Sequence, residues 1–510
     1  MAAAILPPVK SPAAGTLRPG AVTAVVCLAL AAVVAAMSSL NVALPDVARA
    51  THASQTQLAW IIDAYSLVFA SLLLPAGAIG DRYGRRLALV TGLSIFGAGS
   101  AVAMTAHSAS ELVGLRAVMG LGAALVMPAT LSTITGTFAS EQRTRAVSVW
   151  AAVAGGAAVL GLLVSGIVLE VWSWPSVFGL NVVLAAAAIA GTAGFVPESA
   201  DPGTPRLDIS PAVLAVIGLV ALVYSIIEAP GQGWMSVRTL AGLAAGLVVL
   251  AGFVLWERHR RAPMIDPRIF ARRRLAAGSL SIFVQFFALF GFIFIVLQYL
   301  QLIRGDSGLV SAVSMLPMSA AMLPSARLAP ALVARLGART ACIAGLALIA
   351  AALIILAQLT GASSYWLLAA GLIPLGAGMG LAMTPATSGI TSALPASQQG
   401  VASALNDLSR EVGGAVGIAV LASILTAAYQ SHLHLTHLPA AEADSARSSV
   451  AVAAHLGGVD AAQAHNAFAA GMHLALLIAA GIAIAAAIAV GTLLRGLDRA
   501  EDDIPAAVPA

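Results

Sequence analysis

Residues 60–89 read WIIDAYSLVFASLLLPAGAIGDRYGRRLAL, an apolar run that holds one acid, Asp63, and closes in the basic turn Gly80-Asp81-Arg82-Tyr83-Gly84-Arg85-Arg86. An uninterrupted apolar stretch of about 20 residues crosses a hydrocarbon core of roughly 30 Å as a helix, and a helix satisfies its own backbone in lipid. Runs of this kind fill the chain. Of 510 residues, 60% are hydrophobic and 9% charged, with a mean hydropathy of +0.95. A soluble domain could not cover its surface with so few polar groups.

Working outward from this stretch, spans are expected near residues 21–44, 58–79, 88–106, 111–134, 146–168, 176–195, 211–228, 237–256, 276–302, 308–330, 341–360, 364–389, 403–428 and 468–493. The expected fold class is an all-α membrane protein with 14 transmembrane helices, kinks being expected around Pro317 and Pro385. An even count puts both termini on one side. With that side cytoplasmic, only Arg49, Arg238, Arg304 and Arg447 fall outside, while Lys10, Arg18, the Arg82 turn, Arg143, Arg145, Arg206, the run 258–274, Arg335, Arg339, Arg495 and Arg499 fall inside. The net charge of +4 therefore follows topology and does not signal nucleic-acid binding. Cys27 and Cys342 lie within spans and read as small packing residues, and the first apolar run lacks a cleavage site and reads as span 1.

The chain also matches itself. Pro128-Ala129-Thr130 returns as Pro385-Ala386-Thr387, Ala139-Ser140-Glu141-Gln142 as Ala396-Ser397-Gln398-Gln399, and Gly156 as Gly413. Arg82, Gly84, Arg86 and Gly92 return as Arg335, Gly337, Arg339 and Gly345, with Ala334 where Asp81 stands. Spans 2 to 5 thus pair with spans 10 to 13. Two parallel six-helix pseudo-repeats are expected, residues 21–195 and 276–493, with helices 7 and 8 (211–256) inserted between a linker at 196–210 and a basic loop at 257–275.

Asn41-Val42-Ala43-Leu44-Pro45, Trp60-Ile61-Ile62-Asp63-Ala64-Tyr65, the Gly-Asp-Arg-Tyr-Gly-Arg-Arg turn, Arg116 and Pro263-Met264-Ile265-Asp266 through Phe270 resemble the fourteen-span drug:proton antiporter family of the major facilitator superfamily. The resemblance covers nearly the whole chain. It implies export of an organic compound in exchange for entering protons, by a monomer in a bacterial plasma membrane, without a cofactor or metal. The sequence departs from that family at Ala36, where an acid is common, and at Leu162, where a Gly-Pro pair would place proline.

Asp63 is the candidate proton carrier, because an acid inside a span costs roughly 2.5 to 3.5 kcal/mol at the helix centre and is seldom kept for packing. The competing reading is a wet helix cap. Arg116 must face water, a carboxylate or carbonyls, with Asp63 and Glu111 as candidate partners. Glu228, at the end of span 7, reads as a charge partner, a substrate-path residue or an edge contact. Gly77, Asp81, Arg82, Gly84, Arg85 and Arg86 form a candidate cytoplasmic gate in which Asp81 accepts from a neighbouring helix N-terminus, and Asp407, Arg410 and Glu411 form a second cluster near the cytoplasmic end of span 13.

Ala157, Gly161 and Ser165 make a small-residue stripe for close helix packing. Aromatic and Met residues such as Trp60, Tyr65, Phe286 and Met315 are candidates to line a permissive cavity, and His432, His434 and His437 read as a loop segment rather than a metal site. No phosphate-binding Gly-Lys motif or nucleophile triad is present, which speaks against an ATP-driven pump or an enzyme. A facilitator with weak proton coupling and a non-transporting membrane sensor are the alternatives to a proton-coupled exporter.

Overall fold

The computed structural model describes residues 19–138, 140–200, 209–260, 263, 266–394, 399–435, 438–454, 456 and 458–497. Most of the N-terminal arm, Met264, Ile265 and His437 lie outside the described residues. Eight helices come first: α1 (Pro19–Thr51), α2 (Gln55–Tyr83), α3 (Arg85–Ala103), α4 (Ala109–Thr137), α5 (Ser140–Val171), α6 (Pro175–Phe195), α7 (Ile209–Gln232) and α8 (Val237–His259). Then α9 (Arg273–Gln298) ends in a wide π turn, Tyr299–Ile303. The run Gly308–Ser314 passes through Met315 into Leu316–Leu356, and Gly337 inside it has φ 81° and ψ 158°. Two rods therefore meet at Gly337, α10 (308–336) and α11 (338–356). The last three are α12 (Tyr365–Ser392), α13 (Gln399–His432) and α14 (Gly458–Leu493).

Thirteen helices among the described residues are long and apolar enough to cross a membrane, the 49-residue Gly308–Leu356 being one of them. Division at Gly337 makes fourteen. The expected break near Pro317 falls at Met315, just ahead of it, whereas Pro385 sits inside a helix that runs on to Ser392. Helix starts are cut by polar caps: Ser54 and Gln57 close a capping box on α2, and Ser108 and Glu111 do the same on α4.

Packing follows the repeat. In the first half α1 lies against α4, α5 and α6, and α3 against α4 and α6; in the second, α9 lies against α12, α13 and α14, and α11 against α12 and α14. The two basic turns match in detail. Gly84 joins α2 to α3 at φ 126°, Gly337 joins α10 to α11 at φ 81°, Arg86 Nη2 donates to Ala193 O of α6 at 2.8 Å, and Arg339 Nε donates to Gly491 O of α14 at 2.8 Å. Gly92 abuts Gly122 O just as Gly345 abuts Gly378 O, at distances that leave no room for a Cβ.

The positive φ at Gly84 excludes other residues, and a Cβ there would lie 2.5 Å from Glu198 Oε1. Gly84→Ala is expected to destabilise the protein by about 1–3 kcal/mol, the cost of a strained backbone position. Thermal unfolding of the purified protein checks this; an unchanged midpoint would refute it.

The halves meet through α2 against α13 and through α5 against α10, and α7 lies on both α2 and α13. At the end remote from the basic turns, Gln301 Nε2 donates to Val42 O at 3.0 Å, Ser307 Oγ to Glu170, and Ser423 Oγ of α13 to Ile226 O of α7 at 2.6 Å. The short helix Val450–Ala453 packs on α1 over the same end. The two halves are thus in contact at the far end.

Candidate functional site

Asp63 lies eight residues into α2, about 12 Å from its far end at 1.5 Å per residue. It is 0% exposed, and among the described residues neither carboxyl oxygen has a hydrogen-bond partner. A solvated helix cap is therefore the wrong description: Ser54 does the capping and Asp63 is enclosed. An ionised carboxylate without water or partner costs several kcal/mol, so this side chain can carry charge only when its surroundings open.

Arg116 of α4 is enclosed as well and is the largest fully buried side chain among the described residues. Its guanidinium stacks 4.2 Å from the Tyr65 ring centroid, donates from Nε to Ile61 O at 3.0 Å, and reaches Ala36 O from Nη1 at 3.5 Å. Neither expected acidic partner holds it. Glu111 is occupied at its own helix start, accepting from the backbone of His107 and Ser108. Carbonyl dipoles and an aromatic face carry the cation instead, which suits the planar, weakly hydrated guanidinium. The position where the resemblance predicts an acid, Ala36, thus touches Arg116 through its carbonyl.

Tyr65 was expected among cavity-lining aromatics, yet it is fully buried with its hydroxyl donating to Val33 O at 3.0 Å. It serves as the platform for Arg116. One turn further along α4, Gly120 lets the helix press on α2, since a Cβ there would lie 2.5 Å from Tyr65 O.

Across the α2–α13 contact stands the second cluster. α13 starts at Gln399, one turn ahead of the expected 403, so Asp407 and Glu411 lie about 12 and 18 Å along it. Asp407 pairs with Arg410 at 3.7 Å, Arg410 lies 4.7 Å over the Phe286 ring, and Glu411 is 5% exposed with Oε2 unpartnered. Glu411 is also an electrostatic neighbour of Tyr65. The two charge clusters therefore face each other through that tyrosine.

Glu228 does not reach Arg116. Its Oε1 accepts from Trp60 Nε1 at 2.9 Å, three residues before Asp63, and Tyr224 sits 5.8 Å from the same indole. The inserted helix α7 is thereby pinned to the helix that bears Asp63. Glu228→Leu should loosen this contact by about 1 kcal/mol, whereas Glu228→Gln keeps an acceptor. Faster amide hydrogen exchange along α7 in the Leu variant alone is the expected result; equal exchange in both would refute the pin.

The basic turn is bonded to its own half. Arg85 Nε donates to Asp81 Oδ1 at 2.9 Å, so Asp81 is engaged by a side chain and not by a helix N-terminus. That terminus is served by Glu198, which accepts from Arg86 N at 3.2 Å, while Arg85 N donates to Ser199 O at 3.0 Å. Gly77 faces Pro128, where a Cβ would meet the ring at 3.3 Å, and Arg82 lies over Tyr83. Glu198 was not foreseen, because it stands in the span 6 to 7 linker without a pattern around it.

The small-residue stripe of α5 has α1 as its partner. Ala157 and Ser165 are buried, a Cβ on Gly161 would lie 2.7 Å from Ala35 O, Ser38 Oγ donates to Ala158 O at 2.7 Å, and Ser165 Oγ donates to Ser39 O at 2.9 Å. Small residues and hydroxyl bonds of this kind let backbones approach in lipid. This seam runs along the same α1 whose Ala36 carbonyl meets Arg116.

The sequence profile of the Major Facilitator Superfamily matches residues 26–418. The chain is 33% identical over 460 residues to "Multidrug resistance protein Stp" of Mycobacterium tuberculosis, covering 86% of this chain and 85% of that one. It is 36% identical over 420 residues to "Methyl viologen resistance protein SmvA" of Salmonella typhimurium, covering 82% and 85%. Among solved structures, a bacterial homologue of the human lysosomal transporter Spinster, inward-facing and unoccupied, aligns with a TM-score of 0.68 at 15% identity, covering 96% of this chain and all of that one.

Proposed function

The chain belongs to the major facilitator superfamily, and we propose that within it the protein is a proton-coupled exporter of hydrophobic drugs, antibiotics or secondary metabolites, cations among them. Relatives named for multidrug resistance and for resistance to methyl viologen support the substrate class. The observation that carries the coupling is the enclosed, unpartnered carboxyl of Asp63 within α2.

The basic end is cytoplasmic, following the arginine distribution, and both termini lie there. The far-end contacts then make this a state closed to the outside. Substrate entering from the cytoplasm or inner leaflet reaches the space between the halves and displaces the proton from Asp63. Rocking of the halves breaks the Val42–Gln301 and Glu170–Ser307 contacts and opens the far end, where water protonates Asp63 and substrate leaves.

Arg116 stays paired to the Ile61 and Ala36 carbonyls throughout and holds α4 against the part of α2 that precedes Asp63. Glu411, facing Tyr65 from the other half, takes over what an acid at Ala36 would supply. The Asp81–Arg85 turn is the cytoplasmic gate, and the α5–α1 seam is the pivot. The membrane potential contributes about 2.3 kcal/mol per charge per 100 mV, so no ATP is needed.

Everted vesicles with an acidified lumen test the reading. Adding a lipophilic cation should release lumenal protons as the compound accumulates. Uptake without proton movement would establish a facilitator, and no movement of any compound in a broad panel would point to a sensor.

A further inference from the structure

The far ends of α3 and α4 border a cavity of about 590 Å³, lined by Val102, Thr105, Glu111, Gly114, Leu115 and Val118 among others. Its place in the repeat explains it. The shift that carries Pro128 to Pro385 carries Gly114 to Gly371, and the one that carries Gly92 to Gly345 carries Ala103 to Leu356. In the second half Leu356 lies over Gly371, where a Cβ would stand 2.3 Å from Leu356 Cγ. In the first half a Cβ on Gly114 would meet nothing within 4 Å. Alanine stands where leucine fills the slot of the other half, and the slot is open.

Glu111 is the third residue of α4 and Val118 lies about 10 Å further along the same helix. Oε2 of Glu111 accepts from the backbone N–H groups of His107 and Ser108 at 2.8 and 3.3 Å, while Oε1 makes no hydrogen bond among the described residues. Among the described residues of the wall Glu111 is the one acid, no Arg or Lys stands with it, and His107 is the other titratable side chain. Val102 and Val118 are exposed, and the main contacts of α3 and α4 are with each other and with α1, α2, α5 and α6. The cavity therefore opens to lipid and not to the space between the halves. A carboxylate oxygen with an open side stands at the helix end, and an apolar trough leads from it into the hydrocarbon.

We propose that this cavity binds a phospholipid whose headgroup ends in a primary ammonium, the ammonium donating to Glu111 and an acyl chain lying in the slot over Gly114. Charge complementarity selects the head, since a lone carboxylate in a wall without Arg or Lys attracts a cation and repels an anionic headgroup. Position selects lipid over the exported compound: the slot is on the periphery of the first half, where the far leaflet supplies headgroups at all times. The acyl chain then occupies the place that Leu356 takes in the second half. This reading stands apart from the role given to Asp63.

Photolabelling of the full-length protein in liposomes tests it. Two probes carry the same diazirine-bearing acyl chain, one on phosphatidylethanolamine and one on phosphatidylglycerol, and labelled peptides are located by mass spectrometry. The ethanolamine probe should label residues 102–118 at least about tenfold more than the glycerol probe, the preference expected of one charge-assisted hydrogen bond. Glu111→Gln keeps an acceptor for the capping box and should abolish that preference. Gly114→Leu fills the slot and should remove labelling by both probes. Equal labelling of the wild-type protein by the two probes would overturn the proposal, leaving only bulk lipid on an apolar face, and so would a preference that survives Glu111→Gln. Displacement of the ethanolamine label by a transported lipophilic cation would also overturn it, by making the exported compound the occupant.

Discussion

Asp63→Asn is expected to abolish proton-driven export, lowering net transport by roughly 100-fold or more, as loss of a group on which the coupled step depends does. The amide matches the carboxyl in shape, so α2 should keep its packing against α4, α7 and α13. The same variant should retain exchange of labelled for unlabelled substrate across a membrane without a pH gradient, because exchange requires rocking but no proton transfer. Loss of both activities in a folded protein would mean that Asp63 binds substrate or holds the structure. Full net export would remove it from the coupling altogether.

The second large effect is expected at Arg116. Its guanidinium satisfies the Ile61 and Ala36 carbonyls and covers the Tyr65 ring at once. Lysine offers a compact charge without that planar fork, so Arg116→Lys should lower transport roughly tenfold and Arg116→Ala further. If Arg116 acts by holding the part of α2 that precedes Asp63, the double variant Asp63→Asn with Arg116→Ala should be no worse in net transport than Asp63→Asn alone. Additive losses would assign Arg116 a separate task. Transport assays in proteoliposomes, with detergent-solubilised thermal unfolding to confirm the fold, distinguish the two.

These effects show which parts of the molecule can be read from residues alone. Span number follows from hydropathy, and the paired turns at Gly84 and Gly337 follow from a repeat in which glycine is kept for its positive φ. Asp63 is visible because an acid within a span violates the composition around it. The partners of Arg116 are not visible, since two of them are main-chain carbonyls that any residue supplies, and the third, Tyr65, carries no helical spacing to an arginine on another helix. The Trp60–Glu228 bond joins residues 168 apart in sequence. Glu198 caps α3 from a linker, where no periodicity marks it.

The depth of Glu411 shows a further limit. Hydropathy places the start of α13 near 403, because the polar residues Gln399 and Asn406 depress the average, whereas the helix begins at Gln399. The extra turn ahead of the expected start leaves Asp407 and Glu411 inside a continuous helix. Helix ends are set by backbone hydrogen bonds and neighbours, which a polarity average cannot weigh. The same limit applies at α10 and α11, where polar spacing suggests two separate spans and the backbone instead turns through a single residue, Gly337.

Proton release on substrate binding tests the coupling at its source. Purified protein in weakly buffered detergent solution with a pH-indicating dye is mixed with a lipophilic cation. The wild-type protein should acidify the solution, with release saturating as the compound binds, and Asp63→Asn should bind the compound and release no proton. Equal release from the Asn variant would contradict the assignment of Asp63 as the carrier.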